Sequence, residues 1–236
     1  MRWTNRAVLF DVGGPINTEV AHERGWDAGI LAGFTEAGRA VSAERYAAAW
    51  RWAVAAFAPN AYAAVIWTLA GGDAPLARAI YDAAARQAHE RGAFELRPGI
   101  AVLFTSLHER GLLLGLAANQ PAAALARLDA AGVGCFFTHR EVSGVHGYAK
   151  PDVRLFLRAC EQLGVAPDAC IMVGDRVDND IAPARLLGMR TVLFRTGRHA
   201  TQQPRSWDEL PDAEVHSVDE LCAALDALLH AGAGSP

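Results

Sequence analysis

Lysine is almost missing from this chain: of 22 basic residues only Lys150 is a lysine, and the rest are arginine. An ammonium kept at one position against that bias marks the position as one where a point charge is wanted. No basic stretch rises above the background. The net charge of −4 and pI near 6.1 give no footprint for nucleic acid. Cysteine is scarce, and Cys135, Cys160, Cys170 and Cys222 form no CxxC pair. They are expected to be small buried thiols of a reducing compartment. No signal peptide is visible, because the first apolar run, Ala7 to Phe10, is cut short by Asp11. Trp52 to Gly72 has no charge and approaches the length of a membrane span, but Pro59 and Asn60 interrupt it. Two short buried helices broken at Pro59 are expected there instead. These absences predict a cytoplasmic protein with no nucleic-acid or membrane partner.

What is present is enough apolar material for a full core: 52% hydrophobic residues in a 236-residue chain, with only 20% charged. Arg6 to Asp11 reads as a short buried strand followed by the Gly-rich turn Val12 to Pro15. From Asn17 to about Phe94 the pattern is Ala-rich and helical. Ser42 is placed to cap one helix there, and Asp73 with Pro75 to start another that runs to about Arg91. After Arg97-Pro98-Gly99 the character changes. Helices are expected over Ile100–Arg110, Pro121–Ala131, Asp152–Leu163, Ile181–Leu187 and Val218–Leu229. Strands are expected over Leu112–Ala117, Cys135–Thr138, Cys170–Val173 and Thr191–Phe194, with Val215 in a last edge strand. The alternation predicts an α/β, doubly wound core with a mainly parallel sheet. That core comprises 1–16 and 96–236, with an all-helical insertion over 17–95. The terminal AGAGSP run is expected to fray.

Open α/β sheets bind ligands beyond the carboxyl ends of their strands. Here the first strand ends at Asp11, the second at Ala118-Asn119, and the fourth in Gly174-Asp175-Arg176-Val177-Asp178-Asn179-Asp180. If the first and fourth strands are neighbours, Asp11 and Asp175 share one crevice. Crowded carboxylates repel, a divalent cation relieves the repulsion, and all-oxygen ligands favour Mg²⁺.

FDVGGPI (Phe10 to Ile16), LAANQ (Leu116 to Gln120), SGVHGYAKPD (Ser143 to Asp152) and VGDRVDNDI (Val173 to Ile181) resemble, in this order, the four motifs of the haloacid dehalogenase-like hydrolases. LRPG before the second motif and LGMRTVLF after the fourth are also similar. The resemblance implies a Rossmann-like core and a helical cap domain inserted after the first motif. It implies Asp11 as the nucleophile of a Mg²⁺-dependent hydrolase of small phosphorylated metabolites, working through an aspartyl-phosphate. It implies metal binding by Asp11, the Gly13 carbonyl, Asp175 and Asp180. Lys150 would pair with Asp11 and a phosphate oxygen. Gly13, Ala118, Asn119, Lys150 and Asn179 would form the phosphate- or substrate-binding set.

Two positions depart from the family pattern. Gly13 stands where most family phosphatases carry a second Asp, the general acid and base, whose loss costs about 10²–10⁴ in rate. Ala118 stands where a Ser or Thr hydroxyl usually meets the phosphate, a hydrogen bond worth roughly 1.5–3 kcal/mol. Either the leaving group needs little protonation, as with an acyl or aryl phosphate, or another side chain substitutes, with His22 and Glu19 as candidates. Alternatively the protein is a weakened member that binds a phosphorylated ligand or partner. A third reading, dehalogenase-type attack on carbon, is disfavoured by the retained acidic residues. A phosphonate-cleaving role would need a lysine in the insertion, which has none. Trp26, Trp50, Trp52 and Trp67 are expected to form the insertion's core with Phe34, Phe57, Tyr46 and Tyr62, or else an aromatic wall for substrate. His139, His146 and Arg176 are expected on core loops near the crevice, as candidates to touch substrate, with loop surface as the default reading.

Overall fold

Apolar runs bounded by turn residues set out most of the six strands. The computed structural model, which describes residues 6–91 and 93–231, pairs all six in parallel. In chain order the elements are β1 (Ala7–Phe10), α1 (Val20–Glu36), α2 (Ala43–Ala55), α3 (Ala61–Ala70), α4 (Ala74–Arg91), α5 (Ile100–Glu109), β2 (Leu113–Ala118), α6 (Ala123–Ala130), β3 (Phe137–Val142) and α7 (Ser143–His146). There follow α8 (Val153–Leu163), β4 (Cys170–Gly174), α9 (Ala182–Leu186), β5 (Arg190–Phe194), β6 (Ala213–Val215) and α10 (Val218–Ala231). The chain divides into two units, Met1–Thr18 with Glu95–Pro236, and Glu19–Phe94.

The sheet order is β3-β2-β1-β4-β5-β6. From β1 the chain builds outward on one side and then on the other, so the switch point lies between β1 and β4. Every residue of β1 and β4 is buried, as the unbroken apolar runs AVLF and CIMVG require of strands covered on both faces. Burying a side chain such as Leu9, Phe10 or Ile171 contributes about 2 kcal/mol. Phe10 stands opposite Leu116 on one side and Val173 on the other, so the residues following β1, β2 and β4 emerge at one edge.

The third strand differs from the sequence expectation. Gly134–Phe136 forms a 3-10 turn, and β3 starts at Phe137 and continues to Val142. Its middle is Thr-His-Arg-Glu, a polar run that periodicity alone reads as loop. Cys135 correspondingly lies exposed in the turn rather than buried in a strand. Cys160 and Cys170 are buried, their Sγ atoms 3.5 Å apart, and Cys222 is half-buried. Ile181 belongs to a π-helical turn over Val177–Ile181, and α9 starts one residue later than expected. The AGAGSP run starts at Ala231, the last residue of α10, and its remaining five residues lie outside the described residues. Among the described residues no helix is long and apolar enough to cross a membrane. The uncharged stretch 52–72 holds the end of α2, a turn and α3.

The unit Glu19–Phe94 is all helical. The Ser42 hydroxyl accepts the Arg45 N–H at 3.3 Å, and Asp73 Oδ1 accepts the Leu76 N–H at 3.2 Å, at the two expected helix starts. Gly25, Gly29 and Gly33 form one row on α1. A Cβ on Gly29 would sit 2.6 Å from the Ala84 Cα of α4, so these two helices meet backbone to backbone. Trp26 and Trp50 are buried in this unit's core, with Trp26 stacked on Tyr62 at 4.3 Å, whereas Trp52 and Trp67 are exposed. The sequence expectation of four core tryptophans therefore holds for two.

The chain leaves and re-enters the α/β unit through a narrow neck. Asn17 bridges Gly13 on one side and Leu96 on the other. Thr18 N donates to Glu95 O at 2.9 Å, and Arg97 N donates to Ile16 O at 2.8 Å. These bonds carry the first unit to Thr18 and restart it at Glu95, two residues and one residue beyond the limits drawn from the sequence.

Candidate active site

Asp11 follows β1 and Asp175 follows β4, the neighbouring strands at the switch point. Asp180 closes the same cluster through the π-helical turn. Its backbone N–H donates to Arg176 O at 3.0 Å, and the Ile181 N–H donates to the same carbonyl at 3.3 Å. This wider turn brings Asp180 back under the strand end. Asp11, Asp175 and Asp180 each offer a carboxylate oxygen within 4.8 Å of the others. Asp180 is fully buried, and Asp175 nearly so.

One cation stands among them. Lys150 Nζ lies 2.9 Å from Asp11 Oδ1 and 2.6 Å from Asp180 Oδ1, with its side chain 1% exposed. Burial alone would lower its pKa, but the charges of Asp11 and Asp180 outweigh that and hold the ammonium above its usual range. Burial, reinforced by Asp11 and partly offset by Lys150, pushes the Asp180 carboxyl up to about 6. Asp11, Asp175 and Asp180 offer carboxylate oxygens only, crowded together in a nearly dry site. That set suits a hard divalent cation.

The surrounding bonds fix each group. Val12 N donates to Asp11 Oδ1 at 2.8 Å, and Arg176 N donates to Asp180 Oδ2 at 2.9 Å. Asn119 holds the main chain of Lys150 through both its N–H and its carbonyl. Its Nδ2 donates to Lys150 O at 2.9 Å and its Oδ1 accepts from Lys150 N at 2.7 Å. The Lys150–Pro151 peptide is cis. A Cβ on Gly174 would fall well inside the contact radius of Asp180 Cβ and Cγ. Gly174→Ala is therefore expected to lower stability by roughly 3 kcal/mol, as in other overpacked cores. Urea unfolding checks this, and an unchanged midpoint would refute it.

The other residues singled out in the sequence fall as follows. Gly13 is buried in the first turn, bridged to Asn17, and Ala118 is the buried last residue of β2. Asn179 lies half-buried in the π-helical turn. Asp178 is neither a plain solvated turn residue nor part of the carboxylate cluster. It pairs with Arg176 at 2.5 Å and accepts from Gln202 Nε2 at 3.1 Å. Glu19 and His22 belong to the helical unit, where His22 Nε2 accepts the Trp26 indole N–H at 3.1 Å. His139 and His146 meet Glu141 rather than open solvent.

Sequence reasoning missed three supports. Arg97, from LRPG, donates to Gly14 O at 2.7 Å and to Thr196 Oγ1 at 2.8 Å, bracing the turn after Asp11. Gln202 accepts the Val177 N–H at 2.7 Å and so pins the acidic turn, with no local signal to announce it. Glu141, buried in a polar strand, is the third.

Comparison with known proteins places residues 5–188 in a match to the family model for haloacid dehalogenase-like hydrolase. The glyceraldehyde 3-phosphate phosphatase of Methanopyrus kandleri is 34% identical over 125 residues, covering 52% of this chain and 54% of that protein. The phosphoserine phosphatase of Thermus thermophilus is 35% identical over 156 residues, covering 66% of this chain and 60% of that protein. The chain thus spans little more than half the length of these curated relatives. A predicted phosphoglycolate phosphatase from Haemophilus somnus 129PT has the same fold, with a TM-score of 0.72 at 15% identity over 94% of this chain and 98% of that one.

Proposed function

The chain belongs to the haloacid dehalogenase-like hydrolases, and from that premise we propose that it is a Mg²⁺-dependent phosphatase of small phosphorylated metabolites with Asp11 as nucleophile. The observation that carries this reading is the convergence of Asp11, Asp175 and Asp180 on the chain's single lysine, at the carboxyl ends of adjacent strands. The similar proteins named as phosphatases support it. We place the protein in the cytoplasm, with the helical unit as its cap.

Asp11 Oδ1 accepts from Val12 N and contacts Lys150, which fixes the carboxylate and leaves Oδ2 for attack. Oδ2 bonds to phosphorus while the ester P–O bond breaks and the leaving group departs with the bonding electrons. Water then attacks the phosphorus of the aspartyl-phosphate, the bond to Asp11 breaks, and inorganic phosphate leaves. Lys150 neutralises Asp11 and the transferring group as a point charge. Asn119 sets the height of Lys150 through its main chain. Asp11, Asp175, Asp180 and the Gly13 carbonyl are the groups assigned to hold Mg²⁺. When bound, the ion neutralises phosphoryl charge and damps repulsion between substrate and nucleophile. With Gly13 lacking a side chain, the first step favours leaving groups stable as anions. His22 or Glu19 is the substitute acid if alkyl phosphates also react.

The direct test is release of phosphate from an aryl phosphate with Mg²⁺ and with chelator. Chelator-sensitive turnover supports the enzyme. Gly13 and Ala118 favour a second reading, a protein that binds phosphorylated ligands without hydrolysing them. Stabilisation by such ligands with no turnover would select it.

The raised Asp180 pKa sets a pH dependence for metal binding. A carboxyl raised from 3.8 to about 6 holds its proton more tightly folded than unfolded. Its ionisation therefore costs stability as pH rises through that window. A cation on the carboxylates reverses the cost but competes with the proton below pH 6. The rise in Tm given by Mg²⁺ is expected to be clearly larger at pH 7.5 than at pH 5. Scanning fluorimetry with and without EDTA measures it, and equal shifts at both pH values would contradict the assignment.

A further inference from the structure

Glu141 is 1% exposed near the end of β3, an unusual place for a lone carboxylate. Three side chains from three elements surround it. His139 Nε2 of the same strand lies 2.7 Å from its Oε2. Arg158 Nε of α8 donates to Oε1 at 2.9 Å, and His146 Nε2 at the end of α7 contacts Oε1 as well. Burial and the nearby Arg158 hold both imidazoles below their usual range. Arg158 balances the carboxylate, and His139 Nε2 lies close to it without forming a hydrogen bond.

The place of this cluster in the chain gives it a task. β3 ends one residue after Glu141, α7 follows, and four residues beyond His146 comes Lys150. The segment between is short and mostly irregular. It is held at its far end by the two Asn119 bonds to Lys150. At its near end, Gly144 N donates to Gln120 O at 3.0 Å. In the middle it is held by Glu141 gripping His146. Ala117, opposite Glu141 in the ladder, is two residues from Asn119. The two loops that flank the site therefore share one foundation.

We propose that Glu141, with His139, His146 and Arg158, is a positioning group that fixes the loop delivering Lys150 to Asp11. Its catalytic consequence rests on the phosphatase reading above; its effect on Lys150 does not. Glu141 touches neither the carboxylates nor the reacting atoms, and acts through the loop alone.

Two readouts separate these claims. The first is acylation of Lys150 by an amine-directed reagent, followed by mass spectrometry; a single lysine makes the site unambiguous. His146→Ala and Glu141→Gln are expected to speed that acylation about tenfold over the native protein. His146→Gln, which keeps an N–H donor, is expected to stay within about twofold of native. The second readout is kcat and KM on an aryl phosphate at saturating Mg²⁺. A drop in kcat of about tenfold at nearly constant KM is expected for His146→Ala and Glu141→Gln. In an Asn119→Ala background, where Lys150 is already loosened, His146→Ala should add less than twofold. A general loss of stability would instead add in full. If Glu141→Gln fails to fold, the half-buried His146 variants still decide the matter. Unchanged acylation and unchanged kcat overturn the inference. Faster acylation in a protein without turnover supports the positioning role and overturns the phosphatase reading instead.

Discussion

Asp11→Asn is expected to abolish phosphate release from an aryl phosphate, by about 10⁴-fold or more, while the protein stays folded. Asparagine has the shape of aspartate, and its carbonyl can still accept the Val12 N–H. It cannot bond to phosphorus as a stable leaving carboxylate. Removing one of three crowded carboxylates also relieves repulsion around Asp175 and Asp180, so without Mg²⁺ the variant's Tm is expected to match or exceed the native value. A loss of turnover accompanied by a fall in Tm of many degrees would point to misfolding rather than chemistry. Retention of more than about a hundredth of the activity would exclude Asp11 as nucleophile.

The second large effect concerns the missing acid. Native protein is expected to favour aryl or acyl phosphates over simple alkyl phosphates steeply, because nothing at Gly13 protonates the departing oxygen. Gly13→Asp is expected to raise kcat/KM on an alkyl phosphate about 10²-fold and to change aryl phosphate turnover little. A native enzyme already as fast on alkyl as on aryl phosphates would sink this idea and direct attention to His22 or Glu19. His22→Ala, which leaves alkyl turnover unchanged if the acid lies elsewhere, then separates those two.

The sheet is legible because β1, β2 and β4 are continuous apolar runs and β5 ends in one, Val192 to Phe194, all of which admit one environment. β3 was half-legible: its polar centre is tolerated only because Glu141 finds three partners that lie up to 17 residues away in sequence. The residues around the carboxylates were legible from motifs, since acids at strand ends are a local signal. Their supports were not. Arg97 reaches across 83 positions to Gly14, and Gln202 reaches across 25 to Val177. Nothing local distinguishes either from an ordinary surface residue. The motif marks Asn119 for its backbone N–H toward phosphate and does not announce that its carboxamide engages the Lys150 main chain, a bond between segments 31 residues apart. The exposure of Trp52 and Trp67 was equally hidden, because aromatic content reports that a core exists and not which rings enter it.

The neck at Asn17, where outgoing and returning strands bond side by side, makes the helical block a detachable module. Its two ends meet at hydrogen-bonding distance, so the sheet is closed before the insert begins. Any other segment whose termini come equally close could be exchanged there at little entropic cost to the host. A short hairpin in its place would leave the α/β unit with its own connections complete.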